Sequence, residues 1–494
     1  MTDGVTDAVA KAWSAEEFGA AATEWQRLLT DHLRDVMAGR TKVLNWSEPQ
    51  PLMEAAEAWL QQPLAAGPEG VAGGLRRLLQ QMLSAGQNLH HPHYIGHQVP
   101  AASPLAGLLD GAAAVTNQVM AIYEMGPWAT AVEHALVSRM CRLVGWPAES
   151  SSGFLTHGGS LANLTALLTA RNVALPQSWG DGVPPGTAMV ANTDVHYCIT
   201  RAAGILGLGA SAVQRVALDA RRRMDVQQLD DLLTKLRRDN RTVIAVSACA
   251  GATPTGAIDD LAAVAEICER HAVWMHVDAA HGGSLLFSRR YRDRLAGIER
   301  ADSVVWDAHK MLFVPALCTA VLYRRRELRF ETFRQDAPYL FDPSAPGMAD
   351  VDVGMRTVEC TKRAAGFGLW GLWALFGAEF FEQLVDSMLL LTRQFWELLN
   401  SEPDFQTLHE PDCNILAFRY LPPEVRQLSL EDQNRFQREL RALLIREGGF
   451  YIVQTTLDGM AALRTTVINP LTTQQDLREL LTAIRHCGRR VWNL

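Results

Sequence analysis

The chain predicts an α/β protein built on a mostly parallel sheet covered by helices. Three observations carry that expectation. Strand-like and helical patterns alternate from about residue 86 to 375. Apolar runs at 243–248 and 273–277 read as strands buried on both faces, and the helical spacing of Leu261–His271 lies between them. Of 494 residues, 48% are hydrophobic, enough for two or more domains around a large core.

Residues 1–85 read as amphipathic helices, for instance 22–37 and 75–83, with stretches bearing Pro and Gly at 62–70 and 176–186 as loops. After about 376 come a helical region, short strands at 415–419 and 463–467, and a closing helix at 474–487. The expected division is therefore 1–85, 86–375 and 376–494. There is no internal repeat and no low-complexity tract.

Composition narrows the class. A net charge of −8 argues against a nucleic-acid or anionic-membrane surface. Eight cysteines are scattered without a Cys-x-x-Cys pair, as expected of reduced thiols in the cytoplasm. Residues 1–20 are acidic and lack the apolar centre of a secretory signal, and the longest apolar stretches, such as 366–376, are too short or broken to span a bilayer. His90, His91, His93 and His97 crowd together at spacings that match no metal template, so no metal is expected.

Three segments carry chemistry. In Asp302-Ser-Val-Val-Trp-Asp-Ala-His-Lys310-Met-Leu-Phe-Val-Pro315, a lysine sits on a short connector between two strand-like runs, 303–306 and 311–314. Partial desolvation there favours the nucleophilic amine, which forms Schiff bases with carbonyl compounds such as pyridoxal phosphate. Taken alone, the segment reads more simply as a lysine carrying its head to water from the end of a buried strand. In Val273-Trp-Met-His-Val-Asp278-Ala-Ala-His-Gly-Gly283, an apolar strand ends in an acid and a flexible turn. Ligands of open α/β sheets bind at such carboxyl ends, where a buried carboxylate needs a cation; an N-cap or a structural ion pair fits Asp278 equally well. In Gly153-Phe-Leu-Thr-His-Gly158-Gly159-Ser160-Leu-Ala-Asn163, glycines and a serine lead into a helix, where free N–H groups can cradle a phosphate. An ordinary N-cap explains that loop as well. It matches neither the Walker nor the dinucleotide-binding fingerprint.

In this order the segments resemble the group II pyridoxal-phosphate-dependent decarboxylases, whose members act on glutamate, aromatic amino acids, cysteine sulfinate and diaminobutyrate. The likeness runs from about His91 to Tyr323, with a weaker tail through Arg464-Thr-Thr-Val-Ile-Asn469-Pro470. It implies a fold-type-I transferase fold: a large pyridoxal-phosphate-binding domain with a seven-stranded sheet and a smaller C-terminal α/β domain. The N-terminal helical segment would pack against a second copy, giving a homodimer with its active site at the interface. The resemblance makes Lys310 the Schiff-base lysine and Asp278 the partner of the cofactor's ring nitrogen. Gly159 and Ser160 would hold the phosphate, with Asp307 nearby. His196 would stack on one face of the ring and Ala280 would pack against the other, with His309 beside the lysine. His97 and Arg464 fall at substrate positions, the latter matching an arginine that binds a substrate carboxylate in glutamate-type members; from its residue type alone, Arg464 fits an interdomain ion pair equally well.

The implied reaction is decarboxylation of an L-amino acid to its amine, with a lean toward polar or acidic substrates. Two departures bear on it. In Gly251-Ala252-Thr253-Pro-Thr-Gly256-Ala257-Ile-Asp259, the family's first threonine is Ala252. In the mobile loop 340–354, the family's proton-donating tyrosine aligns with Val351, and valine carries no proton. That loss favours transamination or oxidative deamination to an aldehyde on the same scaffold. A non-catalytic role is disfavoured by the presence of Lys310, Asp278 and His196 together.

Overall fold

The computed structural model describes residues 7–61, 64–333, 348 and 350–492. Its large sheet has seven strands: β1 Ser152–Thr156, β2 Ala188–Asn192, β3 Val213–Val216, β4 Val243–Cys249, β5 Met275–Asp278, β6 Ser303–Asp307 and β7 Thr319–Tyr323. Their spatial order is β1-β7-β6-β5-β4-β2-β3. Strand β7 runs antiparallel to both neighbours, and every other pairing is parallel. The expected mostly parallel, seven-stranded sheet is present. Its central strands are apolar on both faces because helices cover both, as parallel connections require.

The helix Leu261–His271 shows how the sequence sets such an element. Asp260 caps its start by accepting the N–H of Ala263 at 3.1 Å, and Ala272 ends it in the left-handed region at φ +54°. Leu261, Val264, Ala265 and Cys268 face the core at helical spacing.

A second, antiparallel sheet follows: β8 Phe405–Thr407, β9 Ile415–Tyr420, β10 Val453–Leu457 and β11 Met460–Thr466, in the order β8-β9-β11-β10. The helices Leu430–Glu447 and Gln474–Trp492 pack with it around Phe418, Leu440 and Ile484. The expected division at 375/376 lies beside Gly377 (φ +74°, ψ −177°), whose non-helical backbone breaks the helical run Phe367–Ser401 into two helices. The helix after Gly377 gives Phe381 and Val385 to the core of the large sheet and Phe395 and Leu399 to the core of the small one. The described elements before Gly86 are helices, with Ala15–Met37 against Gly70–Ala85.

One expectation is corrected. The apolar run 311–314 is not a strand but a buried turn, and the next strand begins only at Thr319. Phe313 sits at φ +55°, its N–H donates to the Lys310 carbonyl, and its own carbonyl accepts from Ser103 N–H. With its backbone satisfied inside the fold, an apolar loop can be buried like a strand, and hydrophobicity alone does not separate the two.

Candidate active site

The carboxyl ends of β5 and β6 place the central residues. Asp278 closes β5, where it pairs in register with Cys249 of β4 and Val305 of β6. Oδ1 of Asp278 accepts from the Ala280 N–H and Oδ2 from the Asn163 amide, each at 3.2 Å. Burial pushes this carboxyl up, against the pull of the Lys310 charge and of its two donors. Asp307 closes β6. Lys310, three residues on, puts Nζ 3.0 Å from Asp307 Oδ2, while Oδ1 accepts from the Thr319 hydroxyl at 2.6 Å. The lysine side chain is 17% exposed and its partner 2%, so the amine reaches the cleft from a buried anchor.

The helix Gly159–Ala174 opens beside this pair. It starts at Gly158 (φ +101°), and no side chain caps its first N–H groups. A Cβ on Gly159 would stand 3.0 Å from Asp307 Oδ2, so only glycine fits without displacing that carboxylate. The uncapped helix start and the Ser160 hydroxyl form a donor set suited to a phosphate. His196 caps the helix Tyr197–Ile205, with Nδ1 accepting from the Cys198 N–H at 3.4 Å. Burial, with the Lys310 charge adding to it, pushes its imidazole down to about 4. At neutral pH the ring is therefore uncharged, with its proton on Nε2.

All the predicted cofactor residues except His309 line one cleft, whose cavity holds about 160 Å³ and is partly open to solvent. His309 is buried behind it, with Nδ1 against the Cys318 main chain and Nε2 3.7 Å from Asp307 Oδ2. Arg464, on β11, stands at the cleft's edge and donates from Nη1 to the carbonyl of Thr253, a lining residue, at 2.7 Å. It is 6% exposed, no carboxylate pairs with it among the described residues, and its Nε has no protein partner. Burial pushes its guanidinium down to about 10. His97 does not line the cleft: it is exposed, with its ring 5.5 Å from that of Tyr451. The neighbouring Gln98 does line it, and its amide nitrogen is buried without an acceptor.

Of the crowded histidines, His90 bonds the Ala102 carbonyl, whereas His93 packs edge-on to His91, stacks on Phe450 and meets Asp476 at 3.0 Å. Val351 borders a different cavity, with Glu133 and Arg356. Of loop 340–354, residues 340–347 and 349 lie outside the described residues. Sequence reasoning missed Gln98, Asn163, His276 and His281. Only Asn163 carried a local signal, one turn into the glycine-rich loop's helix.

A family model described as the pyridoxal-dependent decarboxylase conserved domain matches residues 61–421. The chain is 31% identical over 460 residues to the cysteine sulfinic acid decarboxylase of Mus musculus, covering 91% of each. It is 28% identical over 457 residues to an acidic amino acid decarboxylase of Xenopus tropicalis, covering 91% of this chain and 88% of that one. The solved structure of mouse CSAD superimposes with a TM-score of 0.86 at 28% identity, over 95% of this chain and 99% of the other.

Proposed function

Since the chain belongs to the pyridoxal-dependent decarboxylase family, we propose that it releases carbon dioxide from an acidic L-amino acid and leaves the corresponding amine. Its cofactor is pyridoxal phosphate, and its reaction class is carboxy-lyase. The observation that carries the acidic substrate is Arg464, a buried cation at the cleft's edge with no counter-ion among the described residues. Such a charge is costly unless paired, and a substrate's distal carboxylate or sulfinate would pair it. The two relatives above are named for acidic substrates as well.

The residues fit the cofactor: Gly159 and Ser160 would hold its phosphate and Asp278 its ring nitrogen. His196 would lie on one ring face and Ala280 leave room at the other. Bound there, pyridoxal phosphate supplies a carbonyl for amines and an electron sink for the pair left when the carboxylate departs. Asp307 holds the Lys310 amine until it is needed. His196 Nε2 carries a proton on the cleft wall, available for the α-carbon in a chain whose residue 351 is valine. The N-terminal helices expose Trp13, Phe18, Leu60 and Met82, apolar surface that supports a homodimer with its active site at the interface. Eight free thiols support a reducing, cytoplasmic setting. Among the described residues, no helix is long and apolar enough to cross a membrane.

Incubating the cofactor-loaded protein with a panel of L-amino acids tests this reading, with carbon dioxide and products identified by mass. Aspartate, glutamate or cysteine sulfinate should give amines, and aromatic amino acids should be poor substrates. Aldehyde or keto acid as the main product, or an aromatic preference, would overturn it. Arg464→Gln should raise KM for the acidic substrate by roughly 10- to 100-fold, the value of one charged hydrogen-bond partner. An unchanged KM would remove Arg464 from recognition.

A further inference from the structure

Behind Asp278 runs a chain of buried side chains that the reaction does not itself call upon. The Trp274 indole N–H donates to Ser303 Oγ at 2.9 Å, and Ser303 Oγ lies 2.9 Å from His276 Nδ1. His276 Nε2 lies 2.7 Å from Asn163 Oδ1, and the Asn163 amide donates to Asp278 Oδ2 at 3.2 Å and to the Gly159 carbonyl at 2.9 Å. Asn163, His276 and Ser303 are each 1% exposed or less, and Trp274 is 7% exposed.

Donor chemistry permits this chain only one direction. An indole can donate and cannot accept. At the other end the Gly159 carbonyl can only accept, so the Asn163 nitrogen faces it and Asp278, and Asn163 Oδ1 faces His276 Nε2. Nε2 therefore carries the ring proton and Nδ1 accepts from the Ser303 hydroxyl, whose oxygen takes the indole N–H. Burial pushes the His276 imidazole down to about 3, so the ring holds one proton and keeps this single tautomer. The last acceptor is a carboxylate whose other oxygen also accepts, from the Ala280 N–H.

We propose that Trp274, Ser303, His276 and Asn163 are positioning residues forming a one-way relay, which keeps Asp278 ionised and oriented toward the cofactor's ring nitrogen. Both Asp278 oxygens receive donors, so its charged form is favoured in a place where burial favours the neutral acid. Asn163 performs a second task through the same amide: by holding the Gly159 carbonyl it ties the helix start expected to take the phosphate to the residue expected to take the ring. The inference rests on Asp278 pairing with that nitrogen, as proposed above.

The test measures the dissociation constant of pyridoxal phosphate, the pH dependence of the bound cofactor's visible absorbance, kcat, KM and the melting temperature. Asn163→Leu and His276→Leu should weaken cofactor binding by about 10- to 100-fold, the usual cost of losing a residue that orients a ligand-bearing group. They should also shift the spectral pH profile and lower kcat, with KM changed less than about threefold. His276→Gln, which can accept from Ser303 and donate to Asn163, should restore most of the loss. Asp278→Asn separates the two levels of the argument. If it leaves cofactor affinity unchanged, the assignment of Asp278 falls and the relay with it. If it weakens binding while the Asn163 and His276 variants keep wild-type affinity and spectra, the relay alone is overturned. Should the leucine variants fail to fold, Ser303→Ala and Trp274→Phe decide: a shifted spectral profile at an unchanged melting temperature supports the relay, and an unshifted profile overturns it.

Discussion

Lys310→Ala should lower carbon dioxide release by on the order of a thousandfold or more, the scale reached when the nucleophile of a covalent mechanism is removed. It should also abolish the visible absorbance that attachment of pyridoxal phosphate to the protein produces. The fold should survive, because Lys310 lies on a turn and, among the described residues, its side chain makes one ion pair, to Asp307. Asp307 would still receive the Thr319 hydroxyl, and the cleft edge is open enough for water to take the lysine's place. Activity, absorbance and melting temperature should therefore separate. A variant that retained a tenth of wild-type turnover would sink the assignment of Lys310, whatever its stability.

The second large effect concerns stability, away from the cofactor. Lys362 Nζ lies 2.9 and 2.7 Å from the two oxygens of Glu133 and also donates to the Leu155 carbonyl. Its side chain is 1% exposed and that of Glu133 7%, so the pair is almost wholly withdrawn from bulk water. Lys362→Met should cost about 3–5 kcal/mol in denaturant unfolding, because it leaves a buried carboxylate without its cation. Pairing it with Glu133→Leu should recover most of that loss, since removing both charges removes the desolvation penalty along with the attraction. If the double variant were no more stable than the single one, the bond to Leu155 or the packing of the lysine stem would be the larger contribution.

The parts of the site legible in the sequence are those that chemistry confines to a short segment. A phosphate cradle needs glycine and a helix start together, and Asp278 and Lys310 each close or follow an apolar strand. The relay was illegible because its contacts join distant positions: Asn163 meets His276 across 113 residues, and Trp274 meets Ser303 across 29. His276 looks like any strand residue until the helix Gly159–Ala174 is laid over it. The run 311–314 misled for the opposite reason, being local and apolar yet folded as a turn. Position 97 shows a third limit: sequence spacing brought the reading to the right loop, but the chain's path gives Gln98, not His97, to the cleft wall.

The helix that follows Gly377 couples the two halves of the molecule mechanically. Because Phe381 and Phe395 lie on one continuous stretch after the Gly377 break, each anchored in a different core, a tilt of the small sheet levers against the large one. Arg464 rides on the small sheet and Asp278 on the large one. The gap between the residue proposed to read the substrate and the residue proposed to hold the cofactor is thus set by the direct bond from Arg464 to the Thr253 carbonyl together with this strut. Substitutions along it would act on selectivity from a distance, by changing the spacing of the groups that define the cleft and leaving their chemistry intact.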